Sequence, residues 1–322
     1  WKTTSGWLPG GVRPVIREFT IPEGLAGERV DVALTRLLGL SRSAAVALIE
    51  TGAICAADRS LVKSDRVIEG QKIDVDLDIA PTKETIEIIA EPVPGMQIIY
   101  DDSDLVVVDK PQGVAAHPSR GWEGPTVIGG LVAAGYAIST SGAPEREGIV
   151  HRLDAGTSGL MAVAKNETSY SRMKNLFRNR EVHKLYHAVV QGLLDPLVGT
   201  IDAAIGRHPG HEYKYAVTRD GKPSVTHYET LEAFRHASLV QVQLETGRTH
   251  QIRVHMSAMR HPITGDTMYG GDPVLAARLG LDRQWLHAVE LGFDHPRTGE
   301  KIELKSEYSE DLTRALGILR DA

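Results

Sequence analysis

Within the run Gly148-Ile-Val-His-Arg-Leu-Asp-Ala-Gly-Thr-Ser-Gly-Leu160, a carboxylate, Asp154, stands between His151-Arg152 and a Gly-Thr-Ser-Gly turn, directly before an apolar stretch. Glycine-rich turns let backbone approach a ligand closely, and a carboxylate held on one projects from a sheet edge into a cleft. Asp154 therefore qualifies as a nucleophile or a base. A plain surface turn, with Asp154 capped through Thr157 or Ser158, accounts for the same residues. A second run, Leu244-Glu-Thr-Gly-Arg-Thr-His-Gln-Ile-Arg-Val-His-Met256, gathers Arg248, His250, Arg253 and His255 with no acid after Glu245. On a helix, Arg248 and Arg253 do not fully share a face, so one can meet a substrate phosphate while the other turns inward. An inward arginine needs a carboxylate, and Asp154 is a candidate that such a pair would hold ionised. A solvated basic helix face is the plainer alternative.

A third run, Arg172, Lys174, Arg178, Arg180, His183 and Lys184, ends at Tyr186 and His187. Cations interleaved with an aromatic suit a nucleic-acid backbone and a base to stack on. A solvated amphipathic helix explains the charges equally well, and Tyr186 is either a core or a site tyrosine. The thirteen histidines include no H-E-x-x-H, so no metal is expected. Walker A, G-x-G-x-x-G and G-x-S-x-G patterns are also missing, which disfavours nucleotide-driven, dinucleotide-dependent and serine-triad enzymes.

The elements that must position these groups follow from periodicity. Strands are expected at 97–100, 105–109, 160–164, 185–191, 224–234, 239–245 and 285–293. Helices are fewer: Asn166 can cap one carrying Met173, Leu176 and Phe177, and Ser309 a final one carrying Leu312, Leu316 and Leu319. Successive strands from 185 to 245 without an intervening helix favour antiparallel pairing. Ahead of this region, Val30, Ala33, Leu34, Leu37 and Leu38 repeat at helical spacing, and Ser41 and Ser43 can cap a second helix. Short extended pieces at 54, 67–68 and 73–77 complete a helix-helix-strand unit. Three prolines and scattered charges between 79 and 94 read as a linker with one strand at 86–89.

Length and composition set the outer limits. A chain of 322 residues, 42% hydrophobic and 24% charged, can bury roughly three-quarters of its unfolded surface in two domains, which excludes dominant disorder. One cysteine, Cys55, cannot form an internal disulfide and fits a reducing cytoplasm. No apolar run approaches the roughly 20 residues of a membrane span, and Trp1 to Gly11 lacks the order of a signal peptide and reads as a disordered leader. A net charge of −6 excludes a uniformly basic coat. The basic residues instead concentrate at 172–184 and 248–260, which suggests one positive cleft in a negative shell.

Taken together, the motifs resemble the RluA-type family of RNA pseudouridine synthases. The resemblance runs through Lys110-Pro-Gln-Gly113, His117-Pro118, His151-Arg-Leu-Asp-Ala-Gly-Thr-Ser-Gly-Leu160, Lys184-Leu-Tyr-His-Ala188, Gly247-Arg-Thr-His-Gln-Ile-Arg253, His261-Pro-Ile-Thr-Gly-Asp266 and Tyr269-Gly270. Gly27-Glu-Arg-Val-Asp31 and the stretch from Ser41-Arg-Ser43 to Ile68-Glu-Gly70 are similar to an S4 RNA-binding domain.

The resemblance implies an α/β (α+β) catalytic domain at 95–322 with a largely antiparallel mixed sheet and flanking helices. It also implies an S4-like α/β module at 17–78, after a leader at 1–16 and before a linker at 79–94. Asp154 becomes the catalytic aspartate, Tyr186 the aromatic that packs on the target base, and Arg253 the partner of Asp154. Arg152, His151, Thr157, Arg248, His250, Lys110 and His117 become substrate contacts, and Arg29, Arg36 and Arg42 a helical RNA-binding face of the S4-like module. The implied reaction isomerises uridine to pseudouridine without a cofactor, after flipping the base from its stack. Large-subunit (23S) ribosomal RNA is the expected substrate and transfer RNA the alternative, for a cytoplasmic monomer. A non-catalytic S4-type assembly factor and a histidine-based metal hydrolase are the competing classes.

Overall fold

The computed structural model describes residues 16–38, 42–57, 59–76, 88–119, 121–139, 148–211 and 213–322. The chain divides into two compact units between Thr85 and Ile86.

In the smaller unit, β1 (Ile16–Thr20), β2 (Ile54–Ala56), β3 (Arg59–Ser60) and β4 (Lys72–Asp76) form a sheet in the order β1-β4-β2-β3. Two helices, α1 (Val30–Leu38) and α2 (Arg42–Glu50), supply Val30, Ala33, Leu34, Ala45, Leu48 and Ile49 to its core, against Ile54, Ile73 and Val75. The alternation in β4 buries Ile73 and Val75 and exposes Lys72 and Asp74, as period-two patterning requires. The expected leader lies outside the described residues except for Ile16, which opens β1. Ser41 also lies outside them.

The larger unit contains β5 (Gln97–Asp101), β6 (Leu105–Lys110), β7 (Ser158–Ala164), β8 (His183–Gln191), β9 (Val198–Asp202), a hairpin of β10 (Ile205–Arg207) and β11 (Tyr215–Val217), β12 (Val225–Ala233), β13 (Ala237–Leu244), β14 (Leu286–Asp294) and β15 (Lys301–Lys305). Its helices are α3 (Val127–Ala133), α4 (Glu167–Asn179), α5 (Gln251–Ala258), α6 (Pro273–Leu279) and α7 (Glu310–Arg320). Nine strands form one sheet in the order β5-β6-β7-β14-β8-β13-β12-β9, with β15 on β14. The β7–β14 pair is parallel and the others are antiparallel. The mixed, largely antiparallel α+β architecture expected from the sequence is the one observed.

Both faces of the central strands are covered, so β6 and β7 read as unbroken apolar runs. Val106, Val108, Met161 and Val163 face Tyr186, Ile252, Met256 and the α3 residues Val127, Ile128 and Leu131. Leu105, Val107, Leu160 and Ala162 face the other way, onto Met173, Leu176 and Phe177 of α4. Asn166 caps α4 as its sequence position suggests, accepting from Ser169 N at 2.9 Å. Ser309 precedes α7, but its hydroxyl donates to Asp311 and does not cap.

Two expectations are corrected. Ile88 and Val93 pack on the core of the larger unit, so the end of the expected linker belongs to that unit. The strand expected at 86–89 begins outside the described residues, and Ile88 and Ile89 are not in a strand. The apolar residues of α4 pack on the sheet face opposite Tyr186, and Arg180 of its basic run reaches towards 248, pairing with Glu245 at 2.7 Å.

Candidate active site

β7 emerges from the Asp154 turn, and its first residues pair with β14 through Ser158–His287 and Gly159–Ala288. Gly159 has φ +110°, and a Cβ there would lie 2.3 Å from the Ala288 carbonyl oxygen. Only glycine lets the two strands run this close beside the turn. Thr157 N donates to the Asp154 carbonyl at 3.0 Å, closing the turn and directing the carboxylate outward, with 17% of that side chain exposed.

Arg253 arrives from α5. That helix begins at His250, whose φ is +55°, and no side chain of His250 caps it. Gln251 anchors the start instead: its Oε1 accepts from Thr246 Oγ1 and Arg248 N, and its Nε2 donates to Val225 O and Thr226 Oγ1. From that fixed start Arg253 turns inward, 7% exposed. Its Nη1 donates to Asp154 Oδ2 at 3.2 Å, while Nε and Nη2 grip Asp266 at 2.6 and 2.9 Å. Burial alone would lower the arginine pKa, but the hydrogen-bonded Asp266 carboxylate, joined by Asp154, carries it above its ordinary value. Tyr269 lies under the guanidinium, 4.8 Å from ring centroid to Cζ. Its hydroxyl meets His250 Nδ1 at 2.7 Å and accepts from Tyr215 N of the hairpin at 3.1 Å.

Tyr186 sits in β8, 7% exposed, within the core that also holds Ile252 and Met256. Burial raises its pKa first and the Asp154 charge raises it further, so the phenol is neutral and within electrostatic reach of the carboxylate. His250 Nε2 lies 3.8 Å from Asp154 Oδ2. Burial lowers its pKa against the pull of Asp154, which favours the neutral ring at pH 7.

The other expected contacts separate by exposure. Arg152 and Arg248 are exposed, the latter tethered by Nε to Pro223 O at 3.2 Å. Lys110 is fully buried, and its ammonium donates to the carbonyls of Pro111, Val114 and Ala155. Burial pulls its pKa to about 7 with Asp154 opposing, yet three acceptors call for the three N–H groups of the protonated form. Lys110 thus supports the turn and is closed to substrate. Thr157, 2% exposed, accepts from Gln284 Nε2 at 3.2 Å and is likewise internal.

His117 is buried. His151 points to the opposite sheet face, stacked on Phe177 at 4.7 Å and accepting from Ala162 N at 2.9 Å. Burial first, then Lys184 and Lys174, lower its pKa to about 3. Lys110, Thr157 and His151 thus spend their polar groups on the fold.

Asp266 and Tyr269 are the site residues that sequence reasoning missed, although both stand in motifs that carry the family resemblance. The signal was the unpaired charge: an arginine turned inward among apolar neighbours needs more neutralisation than one partly exposed carboxylate supplies. In the smaller unit, Arg29 Nε meets Asp31 at 3.0 Å and Arg36 lies 3.7 Å from Glu28, so both carry acidic neighbours. The Arg42 side chain lies outside the described residues.

Among the described residues, Asp102, Asp104 and His295 form a group with metal-ligand spacing. Its carboxylates are already engaged by Tyr100, Asn166, Ser169 and Arg297, which makes it a bracket between β6, α4 and the β14–β15 turn.

A carboxylate, a buried arginine oriented by a second carboxylate, and a neutral tyrosine on β8 suit work on a sugar and a base held together. Residues 104–258 match the family of RNA pseudouridylate synthases. The chain belongs to this family, in its RluA/RluD-type branch, whose members convert uridine to pseudouridine in RNA. It is 58% identical to an uncharacterized RNA pseudouridine synthase of Mycobacterium bovis, over 94% of this chain and 98% of that protein. It is 40% identical to ribosomal large subunit pseudouridine synthase D of Neisseria meningitidis, over 94% of this chain and 81% of that one. The solved structure of human RNA pseudouridylate synthase domain containing 4 superposes with a TM-score of 0.55 at 26% identity, covering 69% of this chain and 92% of the human one.

Proposed function

We propose that this chain isomerises uridines of large-subunit (23S) ribosomal RNA, with Asp154 as the catalytic carboxylate, acting as a cytoplasmic monomer without a cofactor. The observation that carries the reading is the Asp154–Arg253–Asp266 arrangement beside Tyr186. The similarity to ribosomal large subunit pseudouridine synthase D supports the substrate class.

The reaction breaks the bond from uracil N1 to the ribose anomeric carbon, turns the base, and joins C5 to the same carbon. The C5 proton leaves and N1 gains one, so no redox partner or energy source is required. Arg253 orients Asp154 through its Nη1 hydrogen bond, ready to attack the sugar or to stabilise charge developing at the anomeric carbon. Tyr186, protonated because its pKa is raised, provides a flat apolar face for the detached uracil and a hydroxyl that donates; it is a poor base in the ground state. Arg152 and Arg248, exposed on either side of the carboxylate in the sequence, meet phosphates of the flipped strand. The S4-like module adds affinity through Arg29, Arg36 and Arg42.

The test is to map pseudouridine in ribosomal and transfer RNA from cells lacking the protein, then to restore wild type or Asp154→Asn. Loss of one or more large-subunit sites, restored by wild type alone, is expected. Persistence of every site, or full rescue by Asp154→Asn, overturns the reading. Loss confined to transfer RNA overturns the substrate.

A further inference from the structure

The turn that carries Asp154 is held residue by residue from outside. Lys110 Nζ and Gly113 N both donate to Ala155 O, at 3.2 and 2.9 Å. Gln284 reaches Thr157. Arg283 takes the two remaining places: its Nη1 donates to Gly156 O at 3.1 Å and to Ser158 Oγ at 3.0 Å. The other edge of the same guanidinium is locked to the start of α7, with Nε on Asp311 Oδ2 at 2.7 Å, and Nη2 on Asp311 Oδ1 at 3.0 Å and Ser309 Oγ at 2.8 Å. Arg283 is 6% exposed, and all five of its N–H groups are used.

Ser158 continues the chain of bonds. It accepts from Arg283 and therefore donates to His287 Nδ1 at 2.8 Å. His287 Nε2 then donates to Ser306 Oγ at 3.0 Å, because that hydroxyl spends its own proton on Asp109 Oδ2 at 2.6 Å. One tautomer of a neutral imidazole satisfies every partner.

The backbone of the same segment also touches the second carboxylate of the site. Gly265 has φ +83°, and a Cβ there would fall 1.9 Å from the Arg283 carbonyl oxygen. Trp285 N donates to Thr264 O at 2.8 Å. The 283–285 segment therefore lies between the turn of Asp154 and the loop of Asp266, the two carboxylates that hold Arg253.

We infer that Arg283 is a positioning residue for pseudouridine formation: anchored by Asp311 and Ser309, its guanidinium fixes Gly156 and Ser158 and so sets where the Asp154 carboxylate stands. This rests on the proposed role of Asp154. A lysine at 283 keeps the charge facing Asp311 but cannot supply the planar fork that spans Asp311 and the turn. A carboxylate displaced by a fraction of an ångström loses turnover while the surfaces that bind RNA are unchanged.

The experiment measures kcat and KM on a ribosomal RNA fragment for Arg283→Lys, Asp311→Asn, Ser158→Ala and Asp154→Asn, with melting temperature and amide exchange across 154–160. For Arg283→Lys, kcat should fall about 10- to 100-fold with KM within about twofold of wild type, and exchange across the turn should speed up. Asp311→Asn and Ser158→Ala, each removing a single partner, should show the same split to a smaller degree, and they carry the test if Arg283→Lys does not fold. Wild-type kcat in the folded variants, or a rise in KM that accounts for the whole loss, overturns the inference. If Asp154→Asn itself keeps wild-type kcat, the role of Asp154 is what fails.

Discussion

Arg253 is bound more closely by Asp266 than by Asp154: two N–H groups meet the former at 2.6 and 2.9 Å, and one meets the latter at 3.2 Å. Asp266 thus sets the orientation of the guanidinium, and Asp154 receives what is left of it. Both members of the closer pair are buried, with side-chain exposures of 8% and 1%. Removing one partner of such a pair leaves an uncompensated charge, so Asp266→Ala should lose about 3–5 kcal/mol of stability. Urea unfolding checks this, and a midpoint equal to wild type would show that the pair does not hold the site.

Lys110 separates a structural role from substrate contact. Lys110→Met leaves the carbonyls of Pro111 and Val114 short of a donor, while Ala155 O keeps Gly113 N, and should cost about 1–3 kcal/mol. The dissociation constant for RNA, measured on the folded fraction, should stay at the wild-type value. A weakened affinity with an unchanged melting temperature would restore the substrate-contact role.

His287 contributes to the acid sensitivity of the larger unit, as does His151. His287 is buried, and burial first, then the positive Arg283 and His187, hold its pKa down at about 4 against an ordinary 6.5. Above pH 6.5 the ring is neutral in folded and unfolded chains alike, and its contribution is fully present. As pH falls from 6.5 to 4 the unfolded chain takes a proton that the folded one refuses, so stability drops by up to about 3 kcal/mol. His287→Asn should flatten that part of the curve of urea midpoint against pH. An equal slope in both proteins would assign the acid loss to other groups.

Arg29 and Arg36 face Asp31 and Glu28, and the exposed Arg36–Glu28 pair contributes little on its own. Replacing Arg29, Arg36 and Arg42 together by Gln should reduce the slope of log K for RNA against log salt by about one for each phosphate no longer neutralised. An unchanged slope would refute the proposed RNA-binding face of this module.

Much of the scaffold was legible in the residues. β6, β7, β8, β12, β13 and β14 follow from apolar runs rich in β-branched residues, and α4 and α7 from periodicity after Asn166 and Ser309. The hairpin of β10 and β11, and helices α3 and α6, were not. The run Val127-Ile-Gly-Gly-Leu-Val-Ala133 has two glycines that argue against a helix, which forms because Thr126 caps it and the sheet covers it. The strands of the hairpin are three residues each, too short to show an alternation.

By itself the sequence determined which residue types are available for the chemistry, and the order of the strands and helices that carry them, because periodicity and glycine placement act locally. Only the tertiary structure decided which of the motif residues face the site. His151 and Asp154 are three apart, yet one stacks on α4 and the other meets Arg253. Lys110 and Arg253 are both cations in motifs, yet one is spent on carbonyls and the other on carboxylates. Those assignments depend on what each buried polar group must find as a partner at chain separations of up to 127, and spacing along the chain carries no record of that.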